Sequence, residues 1–297
     1  MRNKLLKITY IFCCIAYLLS LGYVCYAKDK VEVWITDHFE KDSAIVNKYD
    51  FENKSAVEVT KKTAEVKTSF GGGFVYCIND IKSRSRFGQR ADWFFYLNGI
   101  MSEKGAGSVI PLEGDIVWWD FHNWSDSNYC DALIGGFPQP FLNQSKRNAT
   151  PVNIFYSKDL FSIAGEISKI FYINGIKNIN SEEFKKREQI KLKGENYFYI
   201  LDIEDLTDNK FIRASLQNNH FYKRYEKLAQ GMENGGGVDF SIIAAIKLGG
   251  VNTLWLLTGT NEDAIKRALE LLKNNPEKIR YQPAVILKEG KVINLYE

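Results

Sequence analysis

The chain has 297 residues, of which 45% are hydrophobic, and this composition excludes an intrinsically disordered protein. Its net charge of +3 arises in the N-terminal segment, because 36 basic residues balance 36 acidic residues once residues 1–27 are set aside. Phosphate-backbone binding needs a concentrated basic surface, and no long run of Lys or Arg supplies one, so we expect no nucleic-acid partner. The length that remains, about 270 residues, predicts two domains.

Residues 1–27 have the layout of an export signal. A basic start precedes an apolar run over residues 8–24, and Ala27 stands at a small-residue cleavage position before a polar stretch. We expect cleavage after Ala27 and a secreted or otherwise extracytoplasmic protein. Two alternatives stay open: an uncleaved anchor, because the 17 apolar residues nearly span a bilayer, and a lipoprotein modified at Cys25. In each case the protein meets the membrane only through this segment.

Residues 30–125 predict a small mixed sheet packed on one helix, which is a β-grasp pattern. Residues 31–36 alternate apolar and other side chains and predict the first strand. Residues 55–66 predict a helix with Ser55 as its N-cap. Three glycines at 71–73 end this helical pattern. A strand and a pair of aromatic-rich strands then complete the sheet.

Four of the six tryptophans stand between Asp92 and Trp124, on the two aromatic-rich strands. Since side chains alternate between the faces of a strand, Val117, Trp119 and Phe121 share an apolar face that predicts core. The opposite face mixes indole rings with a carboxylate and an imidazole. That mixture favours a half-exposed surface able to stack a planar ligand and hydrogen-bond its edge, although an enlarged core is the alternative. The predicted ligand-binding residues are Tyr96, Asn98, Trp118, Asp120, His122 and Trp124.

The ordered motifs of this region resemble a known family. The pattern W-x-F-Y-x-N-G, a Gly/Ser-containing connector and G-D-x-x-x-W is similar to the C-terminal-type domain of transcobalamin and intrinsic factor, a soluble-ligand-binding branch of the β-grasp fold. The resemblance covers residues 30–125 and implies cobalamin, or a related corrinoid, as the ligand. In those carriers a helical barrel supplies much of the binding site, and nothing in this sequence predicts such a barrel. The residues that match are Trp93, Phe95, Tyr96, Asn98, Gly99, Gly105, Gly107, Gly114, Asp115 and Trp119.

Cys77 and Cys130 are the two cysteines outside the N-terminal segment. In an oxidising compartment the pair can form a disulfide. The alternative is two buried, unpaired thiols. Two cysteines with no nearby histidine predict no zinc site.

Residues 126–150 are rich in Asn, Ser, Gly and Pro and predict a connector. Residues 151–297 predict an α/β layered domain, because buried apolar strands stand between helices. Thr260 is predicted to be the N-cap of a further helix, with Asp263 completing a capping box, and residues 240–247 suit either a strand or a short helix. The other predicted elements are strands at 152–156, 197–203 and 253–258, helices at 160–172 and 215–232, and a hairpin over 284–295. The fold class is therefore a β-grasp-like α+β domain followed by an α/β domain.

No catalytic constellation is recognisable in the sequence. The glycine runs lack the Lys-Ser/Thr tail of a phosphate-binding loop, there is no G-x-S-x-G motif, and the three histidines are scattered. We therefore expect a non-enzymatic, exported ligand-binding protein that requires no cofactor. One alternative is an envelope module whose aromatic face docks a protein or a polymer. A second is a carbohydrate-active enzyme that uses acids of the C-terminal domain, such as Asp202 and Glu204.

Overall fold

A computed structural model describes residues 30–40, 42–86, 89–124, 130–142, 150–185, 194–217, 239–250 and 252–294. These residues form a six-stranded mixed sheet, a small three-stranded antiparallel sheet and a separate seven-stranded mixed sheet with helices packed on it. The predicted fold class is confirmed. The predicted export segment lies outside the described residues, and no helix within them is long and apolar enough to cross a bilayer.

The N-terminal part of the described chain contains nine strands, which are β1 (Val31–Asp37), β2 (Ile45–Tyr49), β3 (Val66–Ser69), β4 (Phe74–Ile78), β5 (Ile81–Lys82), β6 (Arg84–Arg86), β7 (Gln89–Leu97), β8 (Ile100–Met101) and β9 (Ile116–Asn123). The larger sheet has the strand order β2-β1-β9-β7-β6, with β8 paired to β7. β1 runs parallel to β9, and the other pairs in this sheet are antiparallel. The small sheet has the order β3-β4-β5.

The helix of this part, α1 (Ala56–Thr60), is shorter than predicted. Ser55 is its N-cap, as expected, and Glu58 completes a capping box by accepting the backbone N–H of Ser55 at 2.8 Å. The helix ends early because the residues after Thr60 turn into β3, which pairs with β4. The buried side chains of α1 pack against one face of the sheet, together with Val117, Trp119 and Phe121. That face is core, as the alternation pattern predicts.

The strands and α-helices of the C-terminal part are β10 (Val152–Tyr156), α2 (Phe161–Ile173), β11 (Ile179–Glu183), β12 (Asn196–Asp202), α3 (Ile203–Asp208), α4 (Lys210–Gln217), β13 (Phe240–Gly249), β14 (Asn252–Gly259), α5 (Glu262–Asn274), β15 (Val285–Lys288) and β16 (Lys291–Asn294). The C-terminal sheet has the order β11-β10-β12-β14-β13-β15-β16. Its first four strands are parallel, and antiparallel pairing begins between β14 and β13.

The structure resolves or corrects three sequence expectations in this part. The ambiguous residues 240–247 form a strand. Helix α4 begins before the predicted helix at 215–232, most of which lies outside the described residues. The N-cap of α5 is Asn261 rather than Thr260, because the Asn261 side chain accepts the N–H of Ala264 at 2.9 Å.

Candidate functional site

The aromatic face predicted to be half exposed is buried, so that expectation is wrong. Trp118 belongs to a cluster that includes Cys130 and Leu133 of the connector and Tyr281 of the C-terminal part. The Tyr281 ring lies 4.9 Å from Trp34 and 6.2 Å from Trp118, centroid to centroid. The face is therefore the core of the seam between the two large sheets. Of the six predicted ligand-binding residues, five are buried and Trp124 is half-buried; the buried five are Tyr96, Asn98, Trp118, Asp120 and His122.

Several polar residues of this face hydrogen-bond to one another. His122 Nδ1 lies 2.7 Å from Asp120 Oδ2. The other carboxylate oxygen of Asp120 accepts hydrogen bonds from Thr36 Oγ1 at 2.5 Å and from the Phe39 backbone N–H at 2.8 Å. Trp118 Nε1 donates to Thr36 Oγ1 at 2.8 Å. This network joins β9 to β1 and to the turn after it, which gives these residues a structural role.

His122 is also enclosed by aromatic rings. Phe94 stacks on the imidazole with a centroid distance of 4.2 Å and an interplanar angle of 17°. The Phe39 ring lies 4.9 Å from the imidazole centroid. Tyr96, on the same strand as Phe94, donates from its hydroxyl to the carbonyl of Cys130 at 2.8 Å. Stacking by a bound ligand on these rings would require the seam to open.

Asn98 and Asp115 connect the two turns of the aromatic motif. Asn98, whose φ is 57°, donates from Nδ2 to Asp115 Oδ1 at 2.7 Å. Its Oδ1 accepts the N–H of Ile116 at 2.8 Å, and Asp115 Oδ2 accepts the N–H of Leu112 at 2.6 Å. The Asn-Gly and Gly-Asp signatures therefore hold β7 and β9 in register. Gly99 is required because an added Cβ would lie 2.6 Å from the Leu133 carbonyl oxygen.

Trp124 lies at the end of β9 and away from the buried cluster. Its Nε1 donates to Asp92 Oδ2 at 2.7 Å. The guanidinium of Arg90 lies 5.4 Å from the ring centroid, within cation–π distance. Both ring contacts come from β7, so Trp124 closes one end of the aromatic strand pair.

The predicted disulfide between Cys77 and Cys130 is absent, and both cysteines are free and buried. Cys77 lies in β4, whereas Cys130 belongs to the seam cluster around Trp118. Burial raises the pKa of the Cys130 thiol well above its ordinary value, and the nearby Asp131 adds to this effect. The structure therefore agrees with the alternative of two buried thiols.

A concave site lies elsewhere, beside residues 101–104. A cavity of about 330 Å³ opens between this segment, the end of β7 and the hairpin that joins β13 to β14. Its walls are mainly apolar, and its polar residues include Ser108 and Asn98. Asn98 is the one predicted ligand-binding residue that lines it. The apolar residues of the wall are Leu97, Ile100, Met101, Val109 and Ile110.

A second cavity of about 210 Å³ is lined by the same segment. Phe74, Trp93 and Trp119 contribute aromatic walls. Residues 101–104 line both cavities. The two cavities therefore share a wall, which consists of the last residue of β8 and the short connection that follows it.

The C-terminal sheet holds this shared wall in place. Lys247 Nζ, near the end of β13, lies 3.0 Å from Glu103 Oε1 and donates to the Met101 carbonyl at 2.9 Å. Gly250 donates its backbone N–H to Glu103 Oε1 at 3.0 Å. The hydrogen bond from Lys247 holds the pKa of Glu103 below its ordinary value. The cavity is thus bounded by residues from both large sheets.

Sequence reasoning did not single out residues 101–104. The letters Met-Ser-Glu-Lys carry no motif, and the cavities arise only where the segment meets β7 and the distant β13–β14 hairpin. Within the described ranges, no group of three or more His, Cys, Asp or Glu side chains is placed to hold a metal ion.

Comparison with known proteins gives a partial match. Residues 53–123, about a quarter of the chain, match the family model described as a domain of unknown function, DUF4430. These residues include α1, the aromatic strands and the shared wall of the cavities. The search of curated proteins found no match to this chain.

A solved structure is similar to part of the chain. It is the crystal structure of "a putative metal binding protein" from Ruminococcus gnavus, with 15% sequence identity and a TM-score of 0.26. The likeness covers 32% of this chain and 97% of that chain. A TM-score at this level supports no argument about the site.

Proposed function

We propose that this protein is an exported, non-enzymatic ligand-binding protein, and that its ligand occupies the cavity between residues 97–110 and the β13–β14 hairpin. The observation that supports the proposal is a concave, largely apolar site of about 330 Å³ with a few polar groups at its rim. Small-molecule sites commonly have this size and character, and they often lie where two structural units meet.

The walls of the cavity are fixed before any ligand arrives. The hydrogen bonds of Asn98 hold the end of β7, and the contacts of Lys247 and Gly250 hold Glu103. A preformed site loses less conformational entropy on binding than one that must order its residues. This arrangement favours a binding site for a small molecule over a gap left by imperfect packing.

The burial of the aromatic face argues against two other hypotheses about function. An envelope docking module would need Trp118 and its neighbours exposed, and they are covered by the connector and by Tyr281. Cobalamin, the ligand implied by the family resemblance, would have to contact the protein without stacking on Trp118 or His122. Since a corrinoid is larger than the cavity, it would lie across the cavity mouth.

A cavity-filling variant tests the site. The full chain is titrated with anilinonaphthalene sulfonate, whose fluorescence rises in apolar sites, and separately with cyanocobalamin, followed by its absorbance. Ser108→Trp places a large side chain at the cavity wall, and Ser181→Trp adds the same bulk on the exposed edge strand β11 as the control. We expect Ser108→Trp to lose binding of the fluorophore and Ser181→Trp to retain it. Equal binding by both variants would contradict the site. If the wild-type protein leaves the absorbance spectrum of cyanocobalamin unchanged, cobalamin is excluded as the ligand.

Export rests on the layout of residues 1–27. Cell fractionation with N-terminal sequencing tests it, and we expect a mature extracytoplasmic chain that begins at Lys28. A cytoplasmic chain that keeps its first residues would contradict export.

A further inference from the structure

We infer that the ligand carries an anionic group that pairs with Lys104. This inference rests on the proposed binding site and names the class of molecule that the site takes: a small, mainly apolar acid. It follows from the charges on the wall that the two cavities share.

Two charged residues, Glu103 and Lys104, stand side by side on that wall and line both cavities. The charge of Glu103 is already balanced, because Lys247 Nζ lies 3.0 Å from its carboxylate and Gly250 donates a backbone N–H to it. Lys104 contacts no carboxylate in the part of the chain that the structure describes. Of the two charged residues on this wall, Lys104 is therefore the one left for a ligand to pair with.

The backbone that presents Lys104 is fixed on both sides. Ser102 Oγ donates to the Lys104 carbonyl at 2.8 Å and accepts the Lys104 N–H at 3.2 Å. The next residue, Gly105, packs so closely on the loop of residues 71–73 that an added Cβ would lie 2.6 Å from the Gly73 carbonyl oxygen. The side chain of Lys104 thus extends from a fixed backbone beside both cavities.

This placement selects a ligand with two parts. An apolar body fills the cavity between Leu97, Val109 and Ile110, and a carboxylate, sulfonate or phosphate at its edge reaches the Lys104 ammonium. A charged hydrogen bond beside an apolar wall is stronger than the same bond in open water, because the local dielectric constant is lower. Neutral molecules of the same shape gain the apolar contact alone.

Two probes with related frameworks separate the charge from the apolar contact. Anilinonaphthalene sulfonate is anionic, and N-phenylnaphthylamine has the same ring system without the sulfonate. Both are titrated into the wild-type chain, into Lys104→Met, which keeps an apolar side chain of similar length, and into Lys177→Met. Lys177, an exposed lysine in the loop after α2, is the matched control.

We expect Lys104→Met to weaken binding of the anionic probe about fivefold and to leave the neutral probe unchanged, which is the effect of one partly exposed ion pair. Lys177→Met should change neither. An anionic probe that binds Lys104→Met as tightly as wild type, or an equal loss for both probes, would overturn the inference while the cavity itself stands. If neither probe binds the wild-type chain, the proposed function fails instead.

Discussion

The imidazole Nδ1 of His122 lies 2.7 Å from the Asp120 carboxylate, and neither side chain is exposed to solvent. A similar pair, His38 and Asp37, lies at the surface with both side chains partly exposed. Removing one member of the buried pair should cost more stability than removing one member of the exposed pair. The buried partner that remains stays without water, whereas an exposed partner is rehydrated.

The matched substitutions His122→Asn and His38→Asn test this difference. We expect His122→Asn to lower the free energy of unfolding by about 3–5 kcal/mol, since it disrupts the pair with Asp120 and the stacking on Phe94. His38→Asn, in which asparagine tolerates the positive φ of that position, should change it by no more than about 1 kcal/mol. Urea unfolding followed by tryptophan fluorescence measures both, and equal losses would contradict the burial of the His122 pair.

Trp118 and Trp119 should both be required for folding, although they lie on opposite faces of β9. Trp118 packs in the seam and donates to Thr36, and Trp119 packs beside α1 and donates from Nε1 to Thr60 Oγ1 at 2.9 Å. We expect each change to Ala to cost about 3–5 kcal/mol in chemical denaturation. Trp124→Ala, at a half-buried position, is the control and should cost less. A Trp118→Ala protein of wild-type stability would show that this face is open in solution.

Gly135 should tolerate no side chain, because it lies against the C-terminal part. An added Cβ would lie 2.5 Å from the Tyr281 backbone nitrogen. The Gly135 N–H also donates to the carbonyl of the next residue, Gln282, at 2.9 Å. We expect Gly135→Ala to destabilise the protein by about 1–3 kcal/mol and to speed amide exchange around Tyr281. Gly165→Ala, in α2 with open space at the Cβ position, should instead stabilise it by about 0.5–1 kcal/mol. A Gly135→Ala protein with wild-type stability and wild-type amide exchange would mean that the seam does not form.

Cys77 and Cys130 should remain as thiols. Both are buried, and burial disfavours the reactive thiolate of Cys130. We expect the native protein with its export segment removed to react slowly with Ellman's reagent, and the denatured protein to release two equivalents. A mass lower by two hydrogen atoms, with no reaction after denaturation, would reveal a disulfide.

The ion pair between Glu103 and Lys247 should give the seam a pH dependence. The pKa of Glu103 is lowered in the folded protein by the Lys247 hydrogen bond, so its stabilising effect is present above the unfolded-state pKa and is lost as pH falls through the folded-state pKa. We expect the difference in Tm between wild type and Glu103→Gln to shrink as pH drops from about 7 to about 3. A difference that stays constant over this range would contradict the pair.

Much of the local structure of this protein follows from the order of its amino acids alone. Period-two alternation identified the core face of β9 around Val117 and Trp119, and Ser55 marked the start of α1, because these signals depend on neighbouring residues. The exposed edge strand β11 gave no such signal, since its residues INSEE lack an apolar face. The Asn-Gly dipeptide is a common turn former and does form a turn, and the structure adds that Asn98 hydrogen-bonds to Asp115.

Which faces are covered, and where a ligand can enter, depends on contacts that form only in the folded protein. Alternation shows that Trp118 and His122 share a face, but it does not show that the connector and Tyr281 cover that face. The cavity beside residues 101–104 likewise depends on Gly250, which is about 150 positions away in the chain. Burial and concavity result from contacts between segments distant in sequence, and such contacts leave no periodic trace in either segment.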